Sequence, residues 1–391
     1  MHKIITLKKN EDHRIAKGHL WAFSNEIQKI DGDPQAGDIV HVLTHTGTFL
    51  GIGFYNPHSL IAVRLLTREQ DKEIDFQFFR QRIETALLLR RKLYPDSDTF
   101  RLIHGESDFL PGLIVDKYGD YLSLQTFSAG MDRRVTLICD VLESLLHPKG
   151  IVERNEQPIR TLEGLEQRKG LLRGSIAPVT IDENGIVFTV DLLEGQKTGF
   201  FLDQRENRLA LRRYVKDATV LDCFCNEGGF ALHAAKAGAS HVTAIDISEP
   251  TIERAKKNAK DNHVDSRTHF VARDAFEYLK EAVEKKQSFD VINLDPPSFA
   301  KNKRSVVRAR RGYKEIHTYA LQLLKPGGIL ATASCSHHIF DETFLDIINA
   351  SARATGRNIN LLEWHGAAPD HPVLPAMPET RYLKFGIFHV A

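Results

Sequence analysis

Cysteine is scarce in this sequence. The 391 residues include four cysteines, too few for a disulfide scaffold. Two of them, Cys223 and Cys225, stand one residue apart and could not bridge each other without severe strain. A zinc site would need a second ligand pair at suitable spacing, and none follows. We therefore expect no metal and a reducing compartment.

Long apolar runs and an excess of one charge are missing as well. No run approaches the roughly 20 apolar residues of a membrane-spanning helix, and the first residues lack the apolar core of a signal peptide. We expect a cytoplasmic protein with no membrane partner. The chain has 52 Lys and Arg against 51 Asp and Glu. This balance neither requires nor excludes nucleic acid, because a local basic patch decides such binding.

Three regions differ in their pattern of strands and helices, as a chain of this length predicts. Residues 1–73 contain short β-type runs separated by turns, which indicates a small barrel or sandwich. Residues 74–184 mix strands with helices and predict a compact α+β domain. Residues 185–391 change from Ala218 onward to strict strand–helix alternation, the pattern of a parallel sheet between helices. Two last strands without a helix between them predict an antiparallel pair at one edge.

A glycine turn follows the first strand of the alternating region, in LDCFCNEGGF (221–230). Gly228 and Gly229 allow backbone to approach a ligand closely where the next helix begins. Asp246 ends the second strand and can bind two ribose hydroxyls, and Asp274 ends the third and would face an adenine amino group. A dinucleotide dehydrogenase would need G-x-G-x-x-G at this turn. The pattern instead resembles the first motif of class I S-adenosylmethionine methyltransferases.

The fourth strand ends in NLDPPSF (293–299), where two prolines stiffen the turn after Asp295. Such an Asp-Pro-Pro-aromatic turn is typical of methyltransferases that act on nucleobases. If the target is an amino group, the turn accepts its hydrogen bonds and no cysteine is needed. If the target is pyrimidine C5, a thiolate must first add to C6 so that C5 becomes nucleophilic. Both mechanisms are open at this point.

Cys335 follows the apolar run of the fifth strand, in ILATASCSHHIF (329–340). The fourth and fifth strands are neighbours in this topology, so we expect Cys335 to lie beside Asp295. A thiolate at a strand end in the pocket is what C5 methylation requires. We interpret His337 and His338 as surface residues at the start of the next helix.

These motifs together resemble the bacterial large-subunit ribosomal RNA methyltransferase I family, which makes 5-methylcytosine in 23S rRNA. The resemblance covers essentially the whole chain. Its most specific segments are GQKTGFFLDQR (195–205), LDCFCNEGGF, DPPSF (295–299), SCS (334–336), and the Gly-Glu and Leu-Pro-Gly-Leu pieces within 105–113. It implies a class I, Rossmann-like α/β domain with a mostly parallel seven-stranded sheet in residues 185–391. A small β-barrel PUA domain and an α+β central domain are expected to precede it.

The resemblance also implies roles for individual residues. Cys335 is the expected nucleophile, and Asp295 is expected to contact the base. The expected cofactor is S-adenosylmethionine. Its expected binding residues are Phe200, Asp203, Gln204, Arg205, Asp222, Phe224, Asn226, Gly228, Asp246, Ile247, Asp274, Ala275, Asp295 and Pro296.

One departure from related enzymes keeps alternatives open. Most RNA 5-methylcytosine methyltransferases place a second cysteine after the fourth-strand proline, where this chain has Pro297-Ser298. A single cysteine on the fifth strand is closer to the RNA 5-methyluridine enzymes. Uracil therefore remains an alternative target, as does guanine nitrogen in a relative that lacks the thiol. A non-catalytic RNA-binding assembly factor is a third alternative.

A basic segment, KNKRSVVRARRGYK (301–314), follows the fourth strand. Seven of its 14 residues are Lys or Arg, at the mouth of the expected pocket. We expect it to contact RNA phosphates. The target base would have to leave its stack, which favours a single-stranded site in 23S rRNA. A homodimer is left open. The expected RNA-binding residues are Lys301, Lys303, Arg304, Arg308, Arg310 and Arg311.

Overall fold

The computed structural model describes residues 3–195, 197–300 and 303–391. The chain forms two compact units. The first unit comprises the chain up to Ile181 together with Thr189–Leu202 and Pro369–Thr380. The second unit comprises Asp182–Phe188, Asp203–Ala368 and Arg381–Ala391. The predicted domain boundaries at 73/74 and 184/185 stay a prediction.

A six-stranded sheet begins the first unit. Val40 and Val42 alternate with more exposed neighbours and are completely buried, as are Ile5 and Leu7, so one face of the sheet carries the core. The sheet order is β2-β6-β5-β4-β1-β3. Its elements are β1 (Ile4–Leu7), α1 (His13–Ala16), β2 (Trp21–Ala22), β3 (Ile27–Asp31), β4 (Ile39–Leu43), β5 (Phe49–Tyr55) and β6 (Val63–Thr67).

A five-stranded sheet with helices forms the second part of the first unit. Its first helix begins at an Asp75 cap, whose carboxylate accepts the Phe78 N–H at 2.9 Å, and it buries Phe79, Ile83 and Leu87. The sheet order is β11-β10-β9-β8-β7. The elements are α2 (Phe76–Leu93), β7 (Thr99–His104), β8 (Leu113–Tyr118), β9 (Tyr121–Thr126), α3 (Ala129–Asp132), α4 (Val135–Leu146), β10 (Gly150–Asn155) and β11 (Arg168–Gly174).

A two-stranded sheet links the units along the chain. It consists of β12 (Val179–Glu183) and β13 (Ile186–Val190), and the boundaries between the units fall within these two strands. Within the second unit, Asn262 binds the start of β13, because its side chain accepts the Val187 N–H and donates to the Val187 carbonyl.

The second unit is built on a seven-stranded sheet in the order β16-β15-β14-β17-β18-β20-β19. Five strands, β14 to β18, run parallel, and β20 is antiparallel to both of its neighbours. The predicted parallel sheet with an antiparallel pair at one edge is confirmed. The strands are β14 (Thr219–Cys223), β15 (His241–Asp246), β16 (Thr268–Ala272), β17 (Phe289–Leu294), β18 (Leu324–Ser334), β19 (Ile359–His365) and β20 (Lys384–Val390).

Helices alternate with these strands because each buries one apolar stripe. In the helix before β18, Ala309, Tyr313, Ile316 and Ala320 recur at helical spacing and are all buried. β17 is buried on both faces along most of its length, as expected for a parallel sheet between helices. The helices are α5 (Arg205–Leu211), α6 (Gly229–Lys236), α7 (Glu249–Asp261), α8 (Ala275–Glu284), α9 (Val306–Leu323) and α10 (Asp341–Thr355).

The described residues include neither a membrane-spanning helix nor a group of side chains that could bind a metal ion. None of the helices there has the length and apolar character to cross a bilayer. In the same part of the chain, no group of three or more His, Cys, Asp or Glu side chains could hold a metal ion.

Candidate active site

The strand order of the second unit reverses at β14, which lies between β15 and β17. Register pairs Cys223 of β14 with Leu294 of β17, and Leu294 with Thr332 of β18. The Asp295 N–H donates to the Cys223 carbonyl at 3.3 Å, which joins the first two strand ends directly. Ligands of open α/β sheets bind at such a reversal, beyond the carboxyl ends of the strands.

The turn after β14 has an unusual backbone. Phe224 and Asn226 adopt positive φ angles of 64° and 50°, and Gly228 has a φ of 87°. A Cβ at Gly228 would also lie 3.2 Å from the Phe270 ring, so glycine is required here on two counts. The turn thereby places its backbone at the carboxyl ends of the strands, where ligands of such sheets bind.

Asp222 lies beneath this turn and is 1 % exposed. Its Oδ2 accepts the Ala231 N–H at 3.0 Å, and its Oδ1 accepts the Asn293 side-chain N–H at 2.8 Å. Burial, with a smaller effect of Asp295, raises the pKa of Asp222 to about 7. The two oxygens thus bind Asp222 to the first turn of α6 and to β17, and a direct contact of Asp222 with the cofactor stays a prediction.

Asp246 and Asp274 end the next two strands as predicted. Asp246 accepts the Asn226 N–H and the Ser248 N–H, each at 3.0 Å. Asp274 caps α8 by accepting the N–H groups of the second and third helical residues at 2.9 and 3.1 Å. The next residue, Ala275, is buried, whereas Ile247 is 73 % exposed directly after Asp246.

The segment before α5 contributes a further set of polar groups. Gln204 donates from Nε2 to Asp295 Oδ2 at 3.0 Å, and the Tyr382 hydroxyl donates to Asp203 Oδ2 at 2.6 Å. Arg205 is buried, with its Nε 3.7 Å from Glu183 Oε2. Phe200, another of the expected cofactor-binding residues, belongs to the first unit, so its place at the site stays a prediction.

The four cysteines have different surroundings. Cys139, Cys223 and Cys225 are buried, and burial raises the pKa of each thiol, that of Cys139 to about 11. A thiol held protonated is a poor nucleophile. Cys335 is half-buried, immediately beyond the carboxyl end of β18. Among the four, Cys335 is the accessible one.

Two buried serines flank Cys335 and share one tyrosine. The Tyr313 hydroxyl lies 2.9 Å from Ser334 Oγ and 3.1 Å from Ser336 Oγ, both within hydrogen-bond distance. Ser336 Oγ also lies 3.2 Å from Ser298 Oγ, in the turn that follows Asp295. Burial raises the pKa of Tyr313 to about 12, and Cys335 and Asp295 add to this effect, so both lie within electrostatic range of the same hydroxyl.

Lys384, which none of the sequence motifs includes, lies beside this strand end. It pairs with Ser334 across the β18–β20 ladder and is 3 % exposed. Its Nζ donates to the carbonyls of Ser336 and Tyr382, each at 2.8 Å. The sequence signal that could have indicated a buried lysine was Lys384 at the start of a mainly apolar strand, KFGIFHV.

A buried ion cluster under the glycine turn was also missed. Arg208 Nη1 donates to both oxygens of Glu183, at 2.7 and 2.9 Å, and His233 Nε2 lies 3.3 Å from Glu183 Oε1. Burial alone would raise the pKa of Glu183, but Arg208 and then His233 lower it to about 2. A Cβ at Gly229 would lie 2.7 Å from Arg208 Nε, so the cluster packs directly against the turn.

The predicted RNA-binding side chains are partly described. Arg304 lies in a short 3₁₀ turn, and Arg308, Arg310 and Arg311 lie in the first half of α9; all four are exposed. Lys301 lies outside the described residues, and of Lys303 only the backbone is described. Positive charge near a helix N-terminus opposes the helix dipole, which argues against a purely structural role for Arg308.

The histidines after Cys335 match the interpretation as surface residues before a helix. His337 is exposed, His338 is half-buried, and α10 begins three residues later. The His337 ring centroid lies 5.8 Å from that of Tyr382.

Comparison with known proteins agrees with this geometry. A family model for S-adenosylmethionine-dependent methyltransferases matches residues 171–380, and a model for PUA-like domains matches residues 5–68. Proteins named Ribosomal RNA large subunit methyltransferase I, from Pseudoalteromonas translucida and Tolumonas auensis, are each 40 % identical to this chain over 98 % of both sequences. The chain belongs to the ribosomal RNA large subunit methyltransferase I family.

Solved structures show the same fold. SMU.776, described as a methyltransferase complexed with SAH, is 22 % identical with a TM-score of 0.86. A SAM-dependent methyltransferase from Streptococcus mutans is 21 % identical with a TM-score of 0.85, and both cover 100 % of each chain. The predicted family resemblance, the fold class and S-adenosylmethionine as cofactor are confirmed.

The described residues fit this cofactor. Asp246 and Asp274 provide acceptors for hydroxyl and amino donors at the ends of adjacent strands. Exposed apolar surface at Ile247, which is otherwise costly to leave in water, offers a face for the adenine ring. The methionine portion is expected to face the tight turn at Gly228. Contact of each predicted residue with the cofactor stays a prediction.

Proposed function

We propose that this protein transfers a methyl group from S-adenosylmethionine to C5 of a cytosine in 23S ribosomal RNA, with Cys335 as nucleophile. The observation that carries the proposal is the half-buried thiol of Cys335, which lies at the ligand edge while the other three cysteines are buried. The names of the relatives support ribosomal RNA of the large subunit as substrate. Such a substrate would place the enzyme in the cytoplasm.

Cys335 would act by covalent catalysis. Its thiolate adds to C6 of the base, and electron density moves to C5. S-adenosylmethionine supplies the electrophilic methyl group that C5 accepts. The C5 proton then leaves, its bonding electrons restore the C5–C6 double bond, and the C6–S bond breaks with its electron pair returning to the Cys335 sulfur. The products are 5-methylcytosine, S-adenosylhomocysteine and the released proton, and the free enzyme is regenerated.

Asp295 would orient the base for this addition. Its Oδ2 already accepts from Gln204 Nε2, and its backbone N–H is bound to the end of β14. The carboxylate is therefore held in one direction before RNA binds, as a group that contacts a reacting base should be. Pro296, which follows it, is buried and limits movement of the turn.

The arginines of α9 would bind the RNA backbone. Arg308 and Arg311 are three residues apart on α9 and therefore project along one side of the helix, and Arg304 lies in the 3₁₀ turn just before it. The same helix carries Tyr313, whose hydroxyl lies next to the two serines that flank Cys335. Phosphate contacts on this helix would thus position RNA relative to the thiol. The PUA-like domain is a second surface for RNA.

The test is methylation of unmodified 23S rRNA with labelled S-adenosylmethionine, followed by nucleoside analysis. Protein-free transcript and large-subunit particles are assayed in parallel. We expect 5-methylcytosine from wild type, and a loss of at least roughly 10⁴-fold in Cys335→Ala because the covalent step is removed. Cys139→Ala, which removes a thiol buried in the first unit, is the matched control and should remain active.

Other outcomes would replace this proposal. A 5-methyluridine product would move the target to uracil while retaining the covalent route. An N-methylated guanine would overturn both the base and the thiol mechanism, as would normal activity in Cys335→Ala. Tight cofactor binding without turnover on either substrate would indicate a non-catalytic assembly factor.

A further inference from the structure

Lys384 is a buried cation whose hydrogen bonds go to neutral groups. Only 3 % of its surface is exposed, and its Nζ donates to the Ser336 and Tyr382 carbonyls at 2.8 Å. Burying an ammonium group is costly unless negative charge compensates it. Ser336 directly follows Cys335, and Lys384 faces Ser334 in the strand ladder. The ammonium therefore lies against the backbone that carries the thiol.

The charges that act on Lys384 come from three elements. Burial lowers its pKa to about 8 and Arg381 adds to this effect, while Asp341 at the start of α10 and Cys335 after β18 both oppose it. Asp341 is itself paired with Arg381. His337 is a further neighbour: although part of its side chain is exposed, partial burial and then the Lys384 charge lower its pKa. Cys335 is thus one of two anionic partners.

We propose that the Lys384 ammonium stabilises the thiolate of Cys335 and so prepares it for attack on RNA. Lys384 acts through Cys335 and is a positioning residue. The proposal rests on the proposed function of Cys335 as nucleophile. The alternative is a structural role, in which Lys384 only ties β20 to the end of β18 through its two carbonyl bonds.

Electrostatic coupling between two groups is reciprocal. Because an ionised Cys335 raises the pKa of Lys384, a protonated Lys384 must lower the pKa of the Cys335 thiol. Asp295, just beyond β17, and Tyr313 of α9 also lie near the end of β18. The negative charge of the Asp295 carboxylate opposes the effect of Lys384, because it disfavours a thiolate at Cys335. The thiolate–ammonium pair therefore exists above the pKa of the thiol and is lost as pH rises through about 8, where Lys384 releases its proton.

The test measures the pKa of the Cys335 thiol from the pH dependence of iodoacetamide alkylation in the full chain without RNA. Cys335→Ser gives the background, which should be small because the other thiols are buried. In wild type we expect a thiol pKa below the usual value of about 8.5. In Lys384→Gln, which keeps a donor for both carbonyls but no charge, we expect it to rise by at least about one unit, a tenfold loss of thiolate at neutral pH.

Lys384→Arg is the conservative variant and should keep the thiol pKa low because it keeps the positive charge. A wild-type pKa at or above about 8.5 would overturn the proposal without any variant, even if Lys384→Gln failed to fold. An equal thiol pKa in wild type and a folded Lys384→Gln would overturn it too, because a structural role leaves this value unchanged.

The readout needs neither RNA nor turnover, so the two proposals fail separately. If Cys335→Ala still methylates RNA while Lys384→Gln raises the thiol pKa, the nucleophile assignment falls and the coupling stands. If Cys335→Ala is inactive while Lys384→Gln leaves the thiol pKa unchanged, the nucleophile stands and the coupling falls.

Discussion

The ends of β14 and β18 both carry cysteine at the same edge of one sheet, in opposite surroundings. Cys223 and Cys225, at and just beyond the end of β14, are buried, and burial followed by the nearby Asp222 carboxylate raises the pKa of their thiols. Cys335, beyond β18, is half-buried and lies within electrostatic range of the buried Lys384. The first setting keeps a thiol protonated, whereas the second, under the coupling proposed above, would favour a thiolate.

The two strand ends are also supported differently. The turn after β14 packs on a charged cluster, in which Glu183 binds Arg208 and Arg208 contacts Gly229. The end of β18 is held by hydroxyl groups, with Tyr313 between two serines. The cofactor side therefore rests on a buried ion cluster, and the thiol side on a hydroxyl network with the Lys384 ammonium beside it. Residue type alone does not decide the role of a cysteine, since its neighbours set the protonation state.

Breaking the Glu183–Arg208 ion pair under the turn after β14 should have the largest effect on stability. We expect Glu183→Gln to lower the free energy of unfolding by roughly 3–5 kcal/mol, because Arg208 is left buried without its carboxylate. The difference from wild type should be complete above the ordinary pKa near 4.5 and should fade as pH falls through about 2. Cofactor affinity should weaken, while the pKa of the Cys335 thiol stays unchanged.

Denaturant unfolding and cofactor titration measure these effects. Glu253→Gln is the matched control, since it breaks an exposed i,i+3 pair with Lys256 and should cost less than about 1 kcal/mol. A change in the Cys335 thiol pKa in Glu183→Gln would show that the two strand ends are not independent.

Removing the Tyr313 hydroxyl should have a smaller effect on stability and should act on the thiol side of the site. Tyr313→Phe leaves two buried serine hydroxyls with one partner fewer, at a cost of about 1–2 kcal/mol. We expect the methylation rate to fall about tenfold because the thiol is held less firmly. Cofactor affinity, measured by titration, should remain. Tyr319→Phe on the same helix is the control, and a loss of cofactor affinity in Tyr313→Phe alone would contradict the division between the two strand ends.

The sequence predicted a residue of this site where the residue's own strand pattern places it, and failed where long-range packing does. Asp246, Asp274 and Cys335 follow apolar strand runs, and the carboxyl ends of parallel strands meet at one edge, so alternation alone placed them. Lys384 lies against the strand end that carries Cys335 only because β20 inserts antiparallel between β18 and β19, which no local pattern specifies. Glu183 likewise meets Arg208 through long-range packing.

The smallest expected effect concerns the arginines of α9. Replacing Arg308, Arg310 and Arg311 with Ala should weaken RNA binding several-fold at moderate salt. It should also reduce the slope of log affinity against log salt by roughly 0.7–0.9 for each phosphate that is no longer neutralised. Both strand ends should be unaffected, so cofactor affinity and the thiol pKa stay as in wild type. Arg353→Ala, an exposed arginine on α10, is the control; an equally weakened RNA affinity in both variants would contradict a dedicated surface on α9.

The most direct test of Cys335 as nucleophile is capture of its bond to RNA. In RNA that contains 5-fluorocytosine, C5 carries fluorine and cannot release a proton after methylation, so the C6–S bond should persist. With S-adenosylmethionine present, we expect a denaturation-resistant complex whose RNA adduct maps by peptide mass spectrometry to Cys335 and is lost in Cys335→Ala. An enzyme that methylates ordinary RNA but forms no such complex, or forms it at another residue, would contradict the covalent role of Cys335.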